Sequence, residues 1–352
     1  RTFQSACRIW FCPTDEKIAK ELRKMSQLER EKVWADLSGN EKTSQFRKNV
    51  AEDPAAINSS LKELQEEIDC TDEKSAFDLA QQQAPDYVNS PTFRLPFLRS
   101  CEYDGKRAGR MLIDHMETKR RLFGDAALGR DIRLDDLNEG DRETLSNGGF
   151  QFLHERDSAG RLILYYHRTS LKFKNRENLS KALFYSFMIA LKDESVQKLG
   201  VVVIWDMMSE YSGGQDYEAD RLAIQTVNAV PVRLVARYLL YDSHVWDHII
   251  DVLNQLMTPH ARARTRSIKG SYDEIMQAIS CLGISHRAIP AKKNGEIDLI
   301  SWKNWIDARN EEERSFENCK QKQESSQQLL TVDAERSCMV GGPAKRSKLC
   351  HG

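Results

Sequence analysis

No two of the eight cysteines stand in a CxxC arrangement; Cys7, Cys12, Cys70, Cys101, Cys281, Cys319, Cys338 and Cys350 are scattered along the chain. That spacing excludes a zinc ribbon or a CxxC redox centre and argues against a small disulfide-stapled domain, so reduced thiols are expected. No run approaches the roughly 18 apolar residues of a membrane span, and no apolar signal-peptide core stands near the start. An excess of one charge is lacking too. Lys and Arg number 52 against 53 Asp and Glu, a net charge of -1, so nothing drives the whole chain toward nucleic acid, and any contact with an anionic surface has to be local. GxxxxGK[ST], a GxGxxG between strand and helix, GxSxG and HExxH are all missing, and with them the signatures of a phosphate cradle, a dinucleotide fingerprint, a nucleophile elbow and a zinc protease. No cofactor, no metal and no nucleic-acid partner are expected, and a monomer is favoured.

What is present begins with helices. Thr14 caps a helix predicted over residues 15–37, stopped at Gly39-Asn40, and Pro54 opens another predicted over 55–69. A third carries apolar Met111, Leu112, His115, Leu122 and Phe123 on one face, with Lys106, Arg107, Arg110, Lys119, Arg120 and Arg121 assigned to the other. After Gly124 a polar, loop-rich stretch ends in Gly148-Gly149, and strands alternate with helices. Strands are expected at 161–167, 200–208, 234–240 and 266–269; helices at 177–194, 217–229, 244–257 and 272–282. This is an α/β pattern, a mixed, mostly parallel sheet with crossover helices behind an all-helical N-terminal region. The organisation read from it is a helical extension (1–91), a helical lead-in segment (92–124), the α/β domain (125–300) and a mostly disordered Glu/Gln/Ser/Lys-rich tail (301–352) whose run at 344–349 is basic. The acid-free opening stretch, residues 1–14, leaves an organellar leader open; otherwise a cytoplasmic, peripherally membrane-associated protein is expected.

Few residues promise chemistry. Gly213-Gly214 is too sparse to hold a phosphate. His244 and His248 have metal-binding spacing on one helix but no third ligand, so a surface or gate-lining role is expected. Asp206 closes a buried strand at the end where open α/β sheets place ligands, and serves either a ligand or a structural hydrogen bond. In HARARTRSIKG (260–270), Arg262, Arg264 and Arg266 would share one strand face, which suits either a phosphate or lipid surface or a solvated sheet edge.

FLRSCEYDGKRAGRMLIDHMETKRRLFG (97–124) resembles the helical segment that precedes the α/β domain in the CRAL-TRIO lipid-binding family, which includes the cellular retinaldehyde-binding and yeast phosphatidylinositol-transfer proteins. DSAGRLILYYH (157–167), GVVVIWDMM (200–208), AIQTVNAVPVRLVARYLL (223–240) and TRSIKG (265–270) are similar to later segments of the family in the same order, over roughly residues 92–290. The resemblance implies a bowl closed by a mobile amphipathic helix, here 244–257, that encloses a lipid and exchanges it at an anionic membrane surface. On that reading Tyr165, Trp205, Asp206, Val232, Leu239, Tyr241, Val245, Ile249 and Leu253 line the ligand, while Trp246, Arg262, Arg264, Arg266 and Lys269 meet the membrane. Val232 replaces the glutamate that phosphatidylinositol-binding members carry after the proline, so weak preference for that headgroup is expected. The same fold without obligatory lipid would be a protein-interaction or small-GTPase regulatory module; an α/β enzyme of undefined chemistry is the further alternative.

Overall fold

The computed structural model describes residues 14–39, 52–208 and 216–315. The acid-free opening stretch up to residue 13, Asn40, Gly213-Gly214, Cys7, Cys12, Cys319, Cys338, Cys350 and the basic run at 344–349 lie outside the described residues. The chain divides into two compact units, residues 1–304 and 305–352. In the second, residues 305–315 are helical, where the composition predicts disorder; the stretch is rich in strong helix formers and carries an Arg309–Glu312 pair one turn apart. The rest of that unit lies outside the described residues.

Among the described residues the first unit opens with α1 (Thr14–Lys24) and α2 (Gln27–Ser38) instead of one continuous helix. The break is local chemistry: Ser26 and Glu29 form a reciprocal capping box that starts α2 afresh. Then follow α3 (Pro54–Cys70), α4 (Ser75–Gln83), α5 (Pro85–Val88), α6 (Pro91–Ser100) and α7 (Gly105–Phe123). The region is helical as expected up to Phe123, divided into more helices than the two and the long third that the spacing marks; Pro85 and Pro91 occupy first-turn positions, where the missing N–H costs nothing. Asp104 caps α7 through Arg107 N–H at 3.0 Å. Gly109 lets α7 lie on α3 so closely that a Cβ there would come within 2.9 Å of the Leu64 carbonyl. One residue of α7 departs from expectation. Lys119 is buried, because it stands one turn from both His115 and Leu122 and so shares their face; its ammonium donates to the carbonyls of Leu128 and Arg130 and lies over the Tyr87 ring.

The α/β part comprises α8 (Glu139–Ser146), β1 (Phe150–Phe152), β2 (Leu162–His167), α9 (Arg176–Ala190), α10 (Glu194–Leu199), β3 (Val201–Met207), α11 (Tyr217–Ala229), β4 (Leu234–Tyr241), α12 (Val245–Leu256), α13 (Pro259–Ala263), β5 (Thr265–Lys269) and α14 (Tyr272–Cys281). The strands lie in the order β1-β2-β3-β4-β5, β1 antiparallel to β2 and every other pair parallel. This is the mixed, mostly parallel α/β sheet that the alternation predicts. The unit continues past the expected boundary at residue 300, since Trp302 is buried and its indole donates to the Leu145 carbonyl at 2.7 Å. Among the described residues no helix is long and apolar enough to cross a membrane.

Strand order decides where the helices go. Successive parallel strands laid side by side, joined by right-handed crossovers, send every connecting helix to the same face of the sheet. Here α9, α11 and α12 cover the face bearing Leu164, Tyr166, Val203, Trp205, Leu239 and Tyr241, the crossover face. The opposite face, with Ile163, Tyr165, Val202, Ile204, Tyr238 and Ile268, is covered from elsewhere in the chain, by Val33 and Leu37 of α2 and Ile275 and Ile279 of α14. We call it the α2 face. A bulge in β4 interrupts the alternation: Val201 pairs with Leu234 but Val202 with Ala236. Simple alternation from Leu234 would turn Arg237 to the α2 face. After the bulge Arg237 stands opposite Val203, on the crossover face.

Candidate functional site

Between the crossover face and its helices lie two adjacent cavities that share part of their lining, an inner chamber and an outer mouth. The inner chamber, about 70 Å³, is walled by Leu164, Tyr166, Val203 and Trp205 of the sheet, Leu183 and Phe187 of α9, Ile224 and Val227 of α11, and Met257. The outer mouth, about 280 Å³, is lined by charge: Glu29 and Lys32 of α2, Glu102, Arg107, Arg233, His260 and Arg264. Val227, Asn228, Leu234, Arg237, Thr258 and Ala261 belong to both parts and form the neck between them.

Most charges of the mouth are matched. The buried carboxylate of Asp36 accepts from Arg264 Nε at 2.9 Å and lies 3.5 Å from Arg233 Nη1. Glu102 pairs with Lys32 and lies 3.5 Å from Arg233. Burial would raise the Glu102 carboxyl, but Lys32 and Arg233 outweigh it and hold it below the usual carboxylate range. Glu102 is carried by an unusual turn between α6 and α7 in which it and Tyr103 both adopt positive φ, 54° and 63°, held by a 2.7 Å bond from Tyr103 N–H to the Leu98 carbonyl. Arg237 differs from its neighbours. Its Nη1 is buried with no hydrogen-bond partner among the described residues. Burial, reinforced by the nearby Arg264 cation, pushes the guanidinium down to about 10.

The residues named from sequence divide by face. Trp205 walls the chamber and Val232 the mouth. Tyr165 and Asp206 do not reach the cavity: one position out of phase with Tyr166 and Trp205, they lie on the α2 face, where Tyr165 Oη donates to the Asp206 carboxylate, which also accepts from Met208 N–H at 2.9 Å. Burial raises the Asp206 carboxyl, and the arrangement is a structural hydrogen bond. Leu239 and Tyr241 pack with Met207 beneath Trp246, Ile249, Ile250 and Leu253 of α12, closing the sheet's far corner without lining the cavity. Two assignments on α12 are reversed. Val245, expected to line the ligand, is 55 % exposed, and Trp246, expected at a membrane, is 2 % exposed and turned inward.

The three arginines do not share a strand face. Thr258 caps and Pro259 initiates α13, so Arg262 is helical, Arg264 is the helix's C-cap and Arg266 alone lies in β5. Arg262 donates to the free carbonyls of Asn254 and Met257 at the end of α12 and pairs with Glu21 at 3.2 Å; Arg264 is bound to Asp36; Arg266 donates to the Ala263 and Thr265 carbonyls. Lys269 lies over the Tyr241 ring and 3.4 Å from Asp247, tying β5 to the start of α12. His244 stands 2.9 Å from the Asp247 carboxylate, and among the described residues no group of three or more His, Cys, Asp or Glu side chains could hold a metal.

Sequence reasoning missed Arg237, Asn228, Thr258 and Tyr166. A signal existed for the first, since it is the lone charge in an otherwise apolar strand, LVARYLLY. No family model matches the chain, and no curated protein matches it. Among solved structures, a crystal structure of Sfh5 is similar over 72% of this chain and 84% of that one, at 12% sequence identity and a TM-score of 0.37.

Proposed function

We propose that this protein holds one hydrophobic ligand in the chamber on the crossover face and exchanges it with membranes. The observation that carries the reading is the cavity itself: apolar walls behind a neck that opens onto a charged mouth, the layout that seats an amphipathic molecule with its tail inward. The sequence resemblance to the CRAL-TRIO family supports the same reading. Each CH₂ removed from water is worth about 0.8 kcal/mol, so a long chain exposed in transit would cost on the order of 10 kcal/mol, and the chamber has to close around it. Against a bilayer that gain nearly cancels, which leaves head contacts to set selectivity.

The closing element on this reading is α12 with α13. A chamber of about 70 Å³ is far smaller than a lipid tail, so the ligand enters when these helices swing away from Met207, Leu239 and Tyr241. The swing would turn Trp246, Ile249, Ile250 and Leu253 from the protein interior toward the bilayer, one apolar surface replacing another at little cost. The test is native mass spectrometry and solvent extraction of the freshly purified full chain, followed by uptake of a fluorescent fatty acid and a fluorescent phospholipid from vesicles. A stoichiometric hydrophobic molecule, and loss of uptake in Trp205→Arg with unchanged circular dichroism, are expected. A protein that copurifies with nothing and takes up neither probe overturns the reading in favour of an interaction module.

A further inference from the structure

The neck of the cavity holds one charge that no described group balances. Arg237 projects from β4 between the chamber and the mouth, and its Nη1 is buried without a hydrogen-bond partner among the described residues. The carboxylates at and beside the cavity are engaged elsewhere: Glu29 with the N–H and hydroxyl of Ser26, Asp36 with Arg264 and Arg233, Glu102 with Lys32 and Arg233, and Asp220, at the chamber wall, with Arg168 at 2.9 Å. The charge that acts on Arg237 most directly is another cation, Arg264. A guanidinium stays protonated under all ordinary conditions, so one with a buried, unbonded nitrogen, no carboxylate against it and a second cation nearby is costly unless something supplies acceptor oxygens. Asn228 and Thr258 stand at the same neck and add an amide and a hydroxyl.

We infer that the ligand is an anionic amphiphile whose head, a carboxylate or phosphate monoester, is gripped at the neck by Arg237, with its apolar part running past Trp205 into the chamber. This deepens the proposed function and rests on it. Two oxygens of a planar or tetrahedral anion match the guanidinium fork, and the low dielectric of the neck strengthens the pair. A neutral head of the same size leaves Nη1 unpaired, so selectivity arises from what the wrong ligand fails to satisfy. The mouth cations Arg233 and Arg264, already neutralised by Asp36 and Glu102, extend the favourable potential without competing for the head.

The experiment compares one apolar chain with and without its charge. Delipidated full chain is titrated at pH 8 with cis-parinaric acid and with its methyl ester, and binding is read from fluorescence. The acid is expected to bind about tenfold or more tightly than the ester, and Arg237→Met to bring the two within about twofold of each other, with Arg237→Lys intermediate. Oleate should displace the acid, whereas inorganic phosphate at the same concentration should not. Equal binding of acid and ester by the unmodified protein overturns the inference, and because that comparison uses no variant it stands even if Arg237→Met fails to fold. A preference that survives in folded Arg237→Met overturns it as well. Displacement by phosphate as effective as by oleate makes the neck a free-anion site and overturns the amphiphile. Binding of neither probe removes the proposed function itself, an outcome distinct from equal binding.

Discussion

The two faces of the sheet bury polar groups under different terms. On the α2 face these groups come as paired sets: Tyr165 with Asp206, Arg161 with Asp157 at 2.6 Å, which balances the Arg161 charge although its Nη2 makes no hydrogen bond among the described residues, and Tyr238 Oη on the Leu37 carbonyl at 3.1 Å. On the crossover face Arg237 is half-buried, its Nη1 buried and unmatched, beside a cavity. A protein surface that has finished folding satisfies what it buries. The contrast therefore separates scaffold from site with no appeal to ancestry: the cation of one face has a carboxylate against it, and that of the other has none until something else arrives.

The sharpest way to break that contrast is to unpair the α2 face. Asp157 accepts from Arg161 Nε and from the N–H groups of Ala159 and Arg161, all buried. Asp157→Ala strands the Arg161 cation and is expected to cost about 3–5 kcal/mol, read as a lower urea midpoint at unchanged m-value. A loss below about 1 kcal/mol would mean that water enters this face and that the contrast is false.

Next in size is a pH effect at the roof of the crossover face. His115 of α7 is fully buried, and its Nδ1–H donates to the Ala229 carbonyl at the end of α11 at 3.1 Å. Burial, helped by Lys119, pushes the imidazole down to about 3. The native state thus favours the neutral ring. Its contribution is fully present above pH 6.5, the unfolded value, and is lost as the pH falls from there toward 3, at a limiting slope of about 1.4 kcal/mol per unit. The stability difference between the unmodified protein and His115→Gln should be level above pH 7 and narrow progressively below pH 6.5. A difference that stays constant down to pH 4 would show that the ring is solvated.

On the same face Arg237→Met should act with the opposite sign to Asp157→Ala. With ligand stripped, removal of a half-buried cation whose Nη1 is buried and unmatched is expected to stabilise the fold by about 1–2 kcal/mol, visible as a raised urea midpoint. Destabilisation by that amount would mean that Arg237 already has its partner within the chain. The smallest expected effect returns to the α2 face. Tyr238→Phe removes the hydroxyl that fastens the end of α2 to β4 and should cost about 1 kcal/mol.

Much of this architecture was legible in the sequence. The apolar spacing of about 3.6 residues marked α3, α7, α11 and α12, and the β-branched run VVVIW marked β3, because one-sided burial writes its period into the chain. Which side of a strand a residue faces was much less legible. Tyr165 and Asp206 were assigned to the ligand, whereas the cavity belongs to Tyr166 and Trp205, one position away in each strand. Nothing in a strand buried on both faces distinguishes the two sides, so the assignment had to wait for the register. The arginines at 262, 264 and 266 depart from a shared strand face for a different reason. Thr258-Pro259 is a helix start, and one turn of helix removes the two-residue periodicity on which a shared face depends. Val232 and Trp205 do line the cavity, while Arg237, its most unusual group, reads in sequence as an ordinary strand residue.

The bulge in β4 has a consequence for how this cavity can be rebuilt. The pairs from Ala236 onward hold Arg237, Leu239 and Tyr241 in register with β3, and the irregularity at Val235 takes up the discrepancy with Leu234 before them. Removal of Val235 would leave Leu234, Ala236 and Arg237 in plain alternation on the faces they already occupy. The strand is thereby divided into two independently editable lengths. Insertions and deletions between Pro231 and Ala236 reshape the rim around Val232 and Arg233 while the charge at the neck stays where it is. A descendant of this chain can change what it admits without changing what it grips.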